Sequence, residues 1–364
     1  MPDLGNIVRR ATRILAVPLV ERGYRPDPVY LFLELNRRCN HRCIMCDIWK
    51  DPTDGLPLRD IERIFSNPFF DKIERVILAG GEPTIRKDLT EVASFFIDRL
   101  PRLRAMAILT NGYSTKKTLD VAQSILDRMD AAGSGQYLAL QISLDGIGDA
   151  YNKIRGIEKA WARTHETVLQ LQTLSKLRSN LGLMLHVVMQ PKNLDQLSTI
   201  DSFAHDLGIP ILFSPAVISD TYFGNASAEH SLEFDANQKE RVRNFVLNRD
   251  EAYTDALPFY YKDIANMLQG AQRSRRCMMG YYIMYVRMDG KVFPCINSGD
   301  SLLGDLTTQS PNVVWRGAGP DEARRAVRRD HCPTCPSACD NDFTSTRELA
   351  IKVGAKLRDA VFGH

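Results

Sequence analysis

Short apolar runs, rich in β-branched and aromatic residues, alternate with longer amphipathic stretches from residue 29 onward. The runs have the length of buried strands, and the stretches carry apolar residues at the three- and four-residue spacing of helices. The pattern predicts six strands, at Val29–Leu35, Arg75–Ala79, Ala105–Leu109, Tyr137–Leu144, Leu181–Met189 and Pro210–Phe213. It predicts helices between them, at Leu58–Phe65, Leu89–Leu100, Lys116–Met129, Lys159–Lys176 and Leu194–Asp206. Such alternation is typical of an α/β fold with a parallel sheet.

The pattern is less regular outside this region. A loop over Val217–Ser231, followed by helices at Asn237–Leu247 and Tyr260–Leu268, is predicted to bridge to the later part of the chain. Both ends of the chain, Gly5–Val20 and Thr344–Phe362, have the spacing of amphipathic helices. Packing of these helices on the rest of the fold is the simpler interpretation. Three arginines near the start suggest the alternative, a helix lying on a membrane surface.

Composition narrows the class of protein. The chain has 364 residues, of which 44% are hydrophobic, and a net charge of +3, so it is an ordinary globular protein with no sign of nucleic-acid binding. No apolar run approaches the roughly 18 residues that a membrane span needs. The segment ILAVPLV is short and bracketed by Arg13 and Glu21, so no signal peptide is expected. Eight cysteines in such a chain indicate metal ligands in a reducing, cytoplasmic compartment.

Three of these cysteines, Cys39, Cys43 and Cys46, fall within CNHRCIMC, directly after the first apolar run. Three thiolates can hold three corners of a cube-shaped iron–sulfur cluster and leave the fourth iron open to a small molecule. Zinc is the alternative, with His41 as a candidate fourth ligand. The spacing favours the cluster without excluding zinc.

A second motif follows the next predicted strand. Residues 76–84 read VILAGGEPT, in which Gly80 and Gly81 let a ligand approach the backbone and Pro83 stiffens the turn. Together with Cys-x3-Cys-x2-Cys, this motif resembles the radical S-adenosylmethionine (SAM) superfamily over residues 29–215. The resemblance implies a partial (β/α)6 TIM-like barrel, in which ligands gather at the carboxyl ends of the strands.

The resemblance also implies the chemistry. Cys39, Cys43 and Cys46 would bind a [4Fe–4S] cluster whose open iron chelates SAM. A flavodoxin- or ferredoxin-type protein would supply the electron that cleaves SAM to methionine and a 5′-deoxyadenosyl radical, which abstracts hydrogen from the substrate. Met45 stands where the family more often has an aromatic residue, and methionine can fill the same apolar gap.

Further residues match the segments that contact SAM in this family. The resemblance assigns the backbone of Gly80, Gly81, Glu82 and Pro83 to the SAM amino group, and Asn111 lies in the recurring phrase LTNG. It places Ser143 and Asp145, in ISLDG, near the ribose and the methionine carboxylate, although a cap or turn is an equal alternative for Asp145. Arg155, in YNKIRG, would pair with the SAM carboxylate, or be a solvated loop arginine. Asn193 is a weaker candidate.

The other five cysteines form a second set. Cys277 and Cys295 bracket a segment whose alternation around Asp289-Gly290 predicts a β-hairpin, and CPTCPSAC adds three more. Zinc is again an alternative. The phrase DGKVFPC resembles the SPASM/Twitch extension of radical SAM enzymes, which implies an auxiliary [4Fe–4S] cluster held by four of the five. The favoured ligands are Cys277, Cys295, Cys332 and Cys335, with Cys339 either replacing Cys335 or standing outside the cluster.

These observations divide the chain into five segments. They are a helical extension at 1–28, the barrel at 29–215, the bridging segment at 216–270, the SPASM/Twitch-like domain at 271–342 and a terminal helix at 343–364. A fully ligated auxiliary cluster favours electron transfer, and so net oxidation of the substrate. Because only 28 residues precede the first strand, too few for a peptide-recognition domain, a small polar metabolite is favoured. A peptide, a lipid, and a zinc-binding interaction protein without catalysis are the alternatives.

Several other residues are weaker candidates. Six side chains at strand ends and in the hairpin are candidate substrate contacts, although a structural role is the simpler interpretation for each one taken singly. They are His186, Gln190, Ser214, Tyr281, Tyr282 and Arg287. Arg273, Arg275 and Arg276 could bind a phosphate or tune the cluster, and a solvated run of charge is the simpler interpretation. The arginine-rich stretch Arg324–Arg329 is expected to be an exposed helix face.

Overall fold

The computed structural model describes residues 24–249, 258–274, 277–299 and 301–339. The strands in these ranges are β1 Tyr30–Glu34, β2 Arg75–Ala79, β3 Ala105–Thr110, β4 Tyr137–Ser143, β5 Leu181–Met189, β6 Ile211–Pro215, β7 Ile283–Val286, β8 Lys291–Phe293 and β9 Gly304–Asp305. They form one sheet in the order β6-β5-β4-β3-β2-β1-β7-β8-β9. Strands β1 to β6 run parallel, which confirms the predicted α/β fold. The six predicted strands agree with the observed ones to within two residues at either end.

Nine of the described helices lie between these strands along the chain, and the last two follow β9. The helices are α1 Leu58–Phe65, α2 Leu89–Arg99, α3 Thr115–Ala132, α4 Asp149–Arg155, α5 Ala160–Leu177, α6 Leu197–Leu207, α7 Glu229–Leu232, α8 Ala236–Leu247, α9 Pro258–Met267, α10 Pro311–Arg316 and α11 Ala318–Asp330. None of the described helices is long and apolar enough to cross a membrane. The predicted terminal helices, and with them the interpretation as membrane-surface segments, lie outside the described residues.

Alternate side chains of β1 belong to two different apolar regions. Leu31 and Leu33 of β1 point into the main core beneath the helices, whereas Tyr30 and Phe32 join a second, aromatic cluster on the opposite face. Successive side chains of a strand face opposite sides of a sheet, so Glu34 shares the face of Tyr30 and Phe32. The inner face of the sheet therefore carries aromatic and polar groups at the end of β1.

The predicted hairpin is present and joins the main sheet. Strand β7 pairs with β1 in parallel, with Tyr30 opposite Ile283 and Leu33 opposite Val286. Strand β8 returns antiparallel to β7, and β9 pairs with β8. The second cysteine set is consequently built on the β1 edge of the same sheet that carries the first.

The structure differs from the prediction for one helix and one loop. The predicted helix Leu194–Asp206 is divided into a 3-10 turn at Pro191–Gln196 and α6. The loop expected over Val217–Ser231 contains a 3-10 turn at Ala226–Ala228 and the start of α7, and several of its side chains are buried.

The expectation of an exposed face over Arg324–Arg329 is wrong for its first residue. Arg324 is 1% exposed, donates to the carbonyl oxygens of Gly280 and Trp315, and stacks on the Trp315 ring. A planar guanidinium can fill its donors with carbonyl groups while its face packs on an indole, so burial of this arginine is compensated.

Candidate active site

The loop with the first cysteine set is fixed on one side by the end of β2. The amide of Gly81 donates to the carbonyl of Asn36 at 2.8 Å, and the amide of Glu82 donates to that of Arg38 at 2.7 Å. A Cβ atom on Gly81 would lie 2.2 Å from the Arg38 oxygen, closer than any real contact. The paired glycines therefore let the two backbones touch just before the first cysteine.

The Glu82 carboxylate links β2 to β3. It accepts hydrogen bonds from the amide and hydroxyl of Thr84, from the Thr110 hydroxyl at 2.8 Å and from the Asn111 amide at 2.7 Å. Burial raises the pKa of Glu82, and the Asn111 and Thr84 donors oppose this shift. The Asn111 side chain donates to Asn40 at 2.7 Å, and its nitrogen lies 3.9 Å from Cys39 Sγ. The predicted SAM-contact residues Glu82 and Asn111 thus surround the first cysteine.

The other side of the loop is held by the carboxyl end of α4. The amides of Arg42 and Ile44 donate to the carbonyl oxygens of Arg155 and Ile154, at 2.9 and 3.0 Å. Gly156 caps the helix at φ +64°, and a Cβ atom there would lie 2.4 Å from the Arg42 oxygen. The loop around Cys43 is therefore clamped between β2 and a helix that the sequence pattern did not predict.

Arg155 lies inside the site. Its side chain is 7% exposed, which rules out the solvated loop arginine considered as an alternative. Nη1 donates to Cys43 Sγ at 3.5 Å, and Nη2 lies 2.7 Å from Oδ2 of Asp145, whose other oxygen accepts from the Val188 amide at 2.8 Å. Burial raises the pKa of Asp145, and the neighbouring guanidinium lowers it.

Ser143 and Asn193 lie close to this pair. Ser143 ends β4 opposite His186, and its carbonyl accepts from the Tyr151 hydroxyl at 3.1 Å. The buried Asn193 amide donates to the carbonyl oxygens of Asp145 and Val188 and caps the turn after β5. Asn193 is therefore occupied with backbone groups, whereas the Ser143 side chain is only half-buried.

The thiols of the first set lie near one another, with Cys43 buried and Cys39 and Cys46 half-buried. The pKa of Cys39 and of Cys46 is raised to about 12, chiefly by burial and in part by the neighbouring Cys43. Thiols in such an environment ionise only when a cation compensates their charge, which fits a metal centre. His41 packs edge-on against Tyr113, and burial lowers its pKa to about 3.

The second set also gathers in space. Burial raises the pKa of Cys295, and Cys335, Cys339 and Cys332 raise it further, in that order. Cys277 and Cys332 line a narrow pocket together with Cys295. The Asn297 amide donates to Cys295 Sγ at 3.4 Å. The structure therefore brings all five predicted cysteines to the same end of the hairpin.

Residues 219–225, of which Ser219, Tyr222 and Asn225 are buried, tie the two cysteine sets together, and we call this segment the strap. The Ser219 hydroxyl donates to the carbonyl of Ile296, next to Cys295, at 3.1 Å. Asn225 donates to the carbonyl of Met45, next to Cys46, at 2.9 Å.

Further bonds hold the strap to the first loop. The Asp47 amide donates to the Phe223 carbonyl at 2.7 Å, and Arg37 donates to Thr221 and Tyr222. Burial raises the pKa of Tyr222 well above its usual range, with additional contributions from Glu34, Cys46 and Cys339. Tyr222 therefore lies within electrostatic reach of both sets.

A carboxylate that sequence reasoning missed faces the same region. Glu34 is 1% exposed, and its Oε2 accepts from the Tyr285 hydroxyl at 2.7 Å. Oε1 has no hydrogen-bond partner within the described part of the chain and lies 3.9 Å from Arg37 Nε. Burial raises the pKa of Glu34 to about 7. Its place inside an apolar strand run, VYLFLEL, gave the only signal for it.

The weaker candidates separate into two groups. His186 and Ser214 meet on the inner face at 2.8 Å, and burial lowers the pKa of His186 to about 4. Gln190 and Arg287 have structural partners, Met45 and Asp289 respectively. Tyr281 and Tyr282 are buried in the aromatic cluster, and Arg275 and Arg276 lie outside the described residues.

Comparisons with known families agree with this arrangement. A model described as the radical SAM superfamily matches residues 33–203, and the iron–sulfur cluster-binding SPASM domain matches residues 277–340. The chain belongs to the radical SAM superfamily and carries a SPASM-type extension. It is therefore an enzyme, its cofactors are SAM and [4Fe–4S] clusters, and the alternative of a non-catalytic zinc protein is wrong.

Two curated relatives illustrate the range of the superfamily. An AdoMet-dependent heme synthase of Methanosarcina barkeri is 23% identical over 316 residues, which cover 80% of this chain and 83% of that protein. A GTP 3′,8-cyclase of Actinobacillus pleuropneumoniae is 36% identical over 149 residues, which cover 39% of this chain and 42% of the cyclase.

Two solved structures show the same fold. SuiB of Streptococcus suis bound to S-adenosylmethionine has a TM-score of 0.58 at 14% identity, with 91% of this chain and 78% of that chain covered. The enzyme anSMEcpe with bound AdoMet and a peptide has a TM-score of 0.56 at 14% identity, with coverages of 92% and 99%. These likenesses confirm the predicted partial barrel with a carboxy-terminal extension.

Proposed function

We propose that Cys39, Cys43 and Cys46 hold the [4Fe–4S] cluster that binds SAM, and that the enzyme uses it to remove hydrogen from a substrate. When SAM is bound and the cluster is reduced, the cluster and SAM together supply a 5′-deoxyadenosyl radical. The observation that carries the proposal is the clamped loop. Backbone hydrogen bonds at Asn36 and Arg38 on one side, and at Arg42 and Ile44 on the other, hold the loop that carries the three thiols.

We assign the SAM contacts to polar groups that are not used in the hydrogen bonds described above. The amides of Gly81 and Glu82 donate to the cysteine loop, so the carbonyl oxygens of Gly80 and Gly81 are the groups suited to accept from the SAM ammonium. The half-buried hydroxyl of Ser143 is suited to a polar contact with the ribose or carboxylate. Asp145 and Arg155 face each other, and we therefore assign them a role behind the cluster rather than against SAM.

The second cysteine set holds an auxiliary [4Fe–4S] cluster in this proposal, through four of Cys277, Cys295, Cys332, Cys335 and Cys339. An acceptor at this position would take one electron from the substrate after hydrogen removal, which gives net oxidation. A flavodoxin- or ferredoxin-type protein is the proposed donor. Thiolate ligands persist in a reducing compartment, and we propose that the enzyme works in the cytoplasm.

A small polar metabolite is one candidate class of substrate. A peptide is the second candidate, since SuiB and anSMEcpe have both been solved with bound peptides. A screen of candidate metabolites and peptides for substrate-dependent formation of 5′-deoxyadenosine separates these classes.

The proposal is tested by SAM cleavage without substrate. Reconstituted enzyme, dithionite and SAM should yield methionine and 5′-deoxyadenosine, measured by liquid chromatography. The variant with alanine at Cys39, Cys43 and Cys46 should lose this activity, whereas the matched variant Cys295→Ala should retain it, because its change lies in the other set. Equal cleavage by the triple variant and the wild type would contradict the assignment.

A further inference from the structure

Arg155 approaches the cysteine loop with all of its charge buried. Its guanidinium lies between the Asp145 carboxylate, at 2.7 Å, and the sulfur of Cys43, at 3.5 Å. The Asp145 side chain is fully buried and the Arg155 side chain is 7% exposed, so water screens neither charge. The Tyr151 ring, 5.3 Å from the guanidinium carbon, packs on its face.

The backbone fixes this approach. Arg155 is the last residue of α4, and its own carbonyl accepts from Arg42, one residue before Cys43. The carbonyl of Ile154 accepts from Ile44, one residue after Cys43. The same helix end therefore holds the loop and the main chain of Arg155, while the Asp145 carboxylate and the Tyr151 ring hold the guanidinium beside the sulfur.

We propose that Arg155 sets the reduction potential of the cluster on Cys39, Cys43 and Cys46 through its hydrogen bond to the Cys43 sulfur, with Asp145 limiting the effect. This inference rests on the proposed function, because it takes Cys43 as a cluster ligand. Reduction adds one negative charge to the cluster. A buried cation that donates to a ligand sulfur stabilises the reduced form and raises the potential, and a buried carboxylate nearby opposes it. Arg155 is thus a positioning residue and not a ligand of SAM.

The two members of the pair should act with opposite sign. Arg155→Gln removes the cation and leaves Asp145 uncompensated, so the potential becomes more negative. Asp145→Asn keeps the size of the side chain but removes the opposing charge, so the potential becomes less negative. General loosening of the site would not shift the potential in opposite directions in the two variants.

A second arginine–aspartate pair provides the control. The Arg249 side chain is 7% exposed and lies 2.7 Å from the half-buried Asp201, and it stacks on Phe213 of the edge strand β6. Arg249→Gln should lower stability as Arg155→Gln does, while leaving the potential unchanged.

The test is redox potentiometry of the reconstituted holoenzyme without SAM, followed by electron paramagnetic resonance. The auxiliary signal is recorded alone in the variant with alanine at Cys39, Cys43 and Cys46, and is subtracted. A fall for Arg155→Gln, a rise for Asp145→Asn and no change for Arg249→Gln support the inference. Unchanged potentials, or shifts in the same direction for both, overturn it.

Three further outcomes can be told apart. If Arg155→Gln takes up no iron, Asp145→Asn decides, and the absence of a rise overturns the inference. If the wild type shows no second signal after subtraction, the proposed function has failed. If Arg155 instead binds the SAM carboxylate, Arg155→Gln weakens SAM affinity and leaves the SAM-free potential unchanged. The affinity is measured from the change that SAM causes in the paramagnetic resonance signal. This result also overturns the inference.

Discussion

Single residues in this enzyme are positioned by contacts from distant parts of the chain. Glu34 lies at the end of an apolar strand, yet its carboxylate is bonded to Tyr285, which is 251 positions away in the sequence. The aromatic rings of Phe32 and Tyr222 pack around Tyr285 and exclude water. For a carboxylate buried this deeply, the loss of hydration outweighs one hydrogen-bond donor and an arginine at 3.9 Å, so its ionised form is less stable than in water.

This environment predicts a pH dependence of stability. The pKa of Glu34 is raised from 4.5 when unfolded to about 7 when folded, so its unfavourable charge is absent below pH 4.5 and develops as the pH rises towards 7. Wild type should therefore lose stability relative to Glu34→Gln across this window, by roughly 3 kcal/mol at most. Denaturant unfolding of both proteins between pH 4.5 and 8 measures the difference.

The groups that act electrostatically on Glu34 are Tyr285, Arg37, Arg287 and Asp289. Glu62→Gln, an exposed site, controls for the change in net charge. A difference between wild type and Glu34→Gln that does not grow with pH would show that Glu34 keeps its usual pKa.

At the level of elements, the strands were the most predictable part. Each is a run of apolar residues bounded by polar or glycine-containing turns, and the period of the pattern is a local property. Helix α4 was missed because its seven residues carry only two buried apolar side chains, Tyr151 and Ile154, too few for a periodic signal. The arginine at its end was consequently given an alternative as a loop residue.

Helix α4 provides a test of the clamp. Gly156→Ala places a Cβ atom 2.4 Å from the Arg42 oxygen, whereas Gly208→Ala, at the similar φ of +66° after α6, meets nothing within 4 Å. Both substitutions strain the backbone by about 1 kcal/mol. Only Gly156→Ala should also displace the cysteine loop, lowering iron content after reconstitution and the thermal midpoint beyond that of Gly208→Ala. Equal iron content in the two variants would contradict the clamp.

On the scale of the whole molecule, two cysteine sets separated by more than 200 residues are joined through one sheet and one strap. The sequence motifs predicted both sets and their cofactors, because cysteine spacing is local. The parallel pairing of β1 with β7, and the contacts of Ser219 and Asn225, depend on packing between distant segments, which no local pattern records. The set of four ligands among the five cysteines is a proposal for the same reason, and so is the class of substrate.

The central claim is that the two sets hold two separate [4Fe–4S] clusters, the first of which binds SAM. The most direct measurement is iron and sulfide content after anaerobic reconstitution, for the wild type and for the variant with alanine at Cys39, Cys43 and Cys46. The account predicts about eight irons in the wild type and about four in the variant. About four irons in the wild type, all lost in the variant, would contradict a cluster in the extension and with it the electron acceptor. No iron in either protein would contradict the account as a whole.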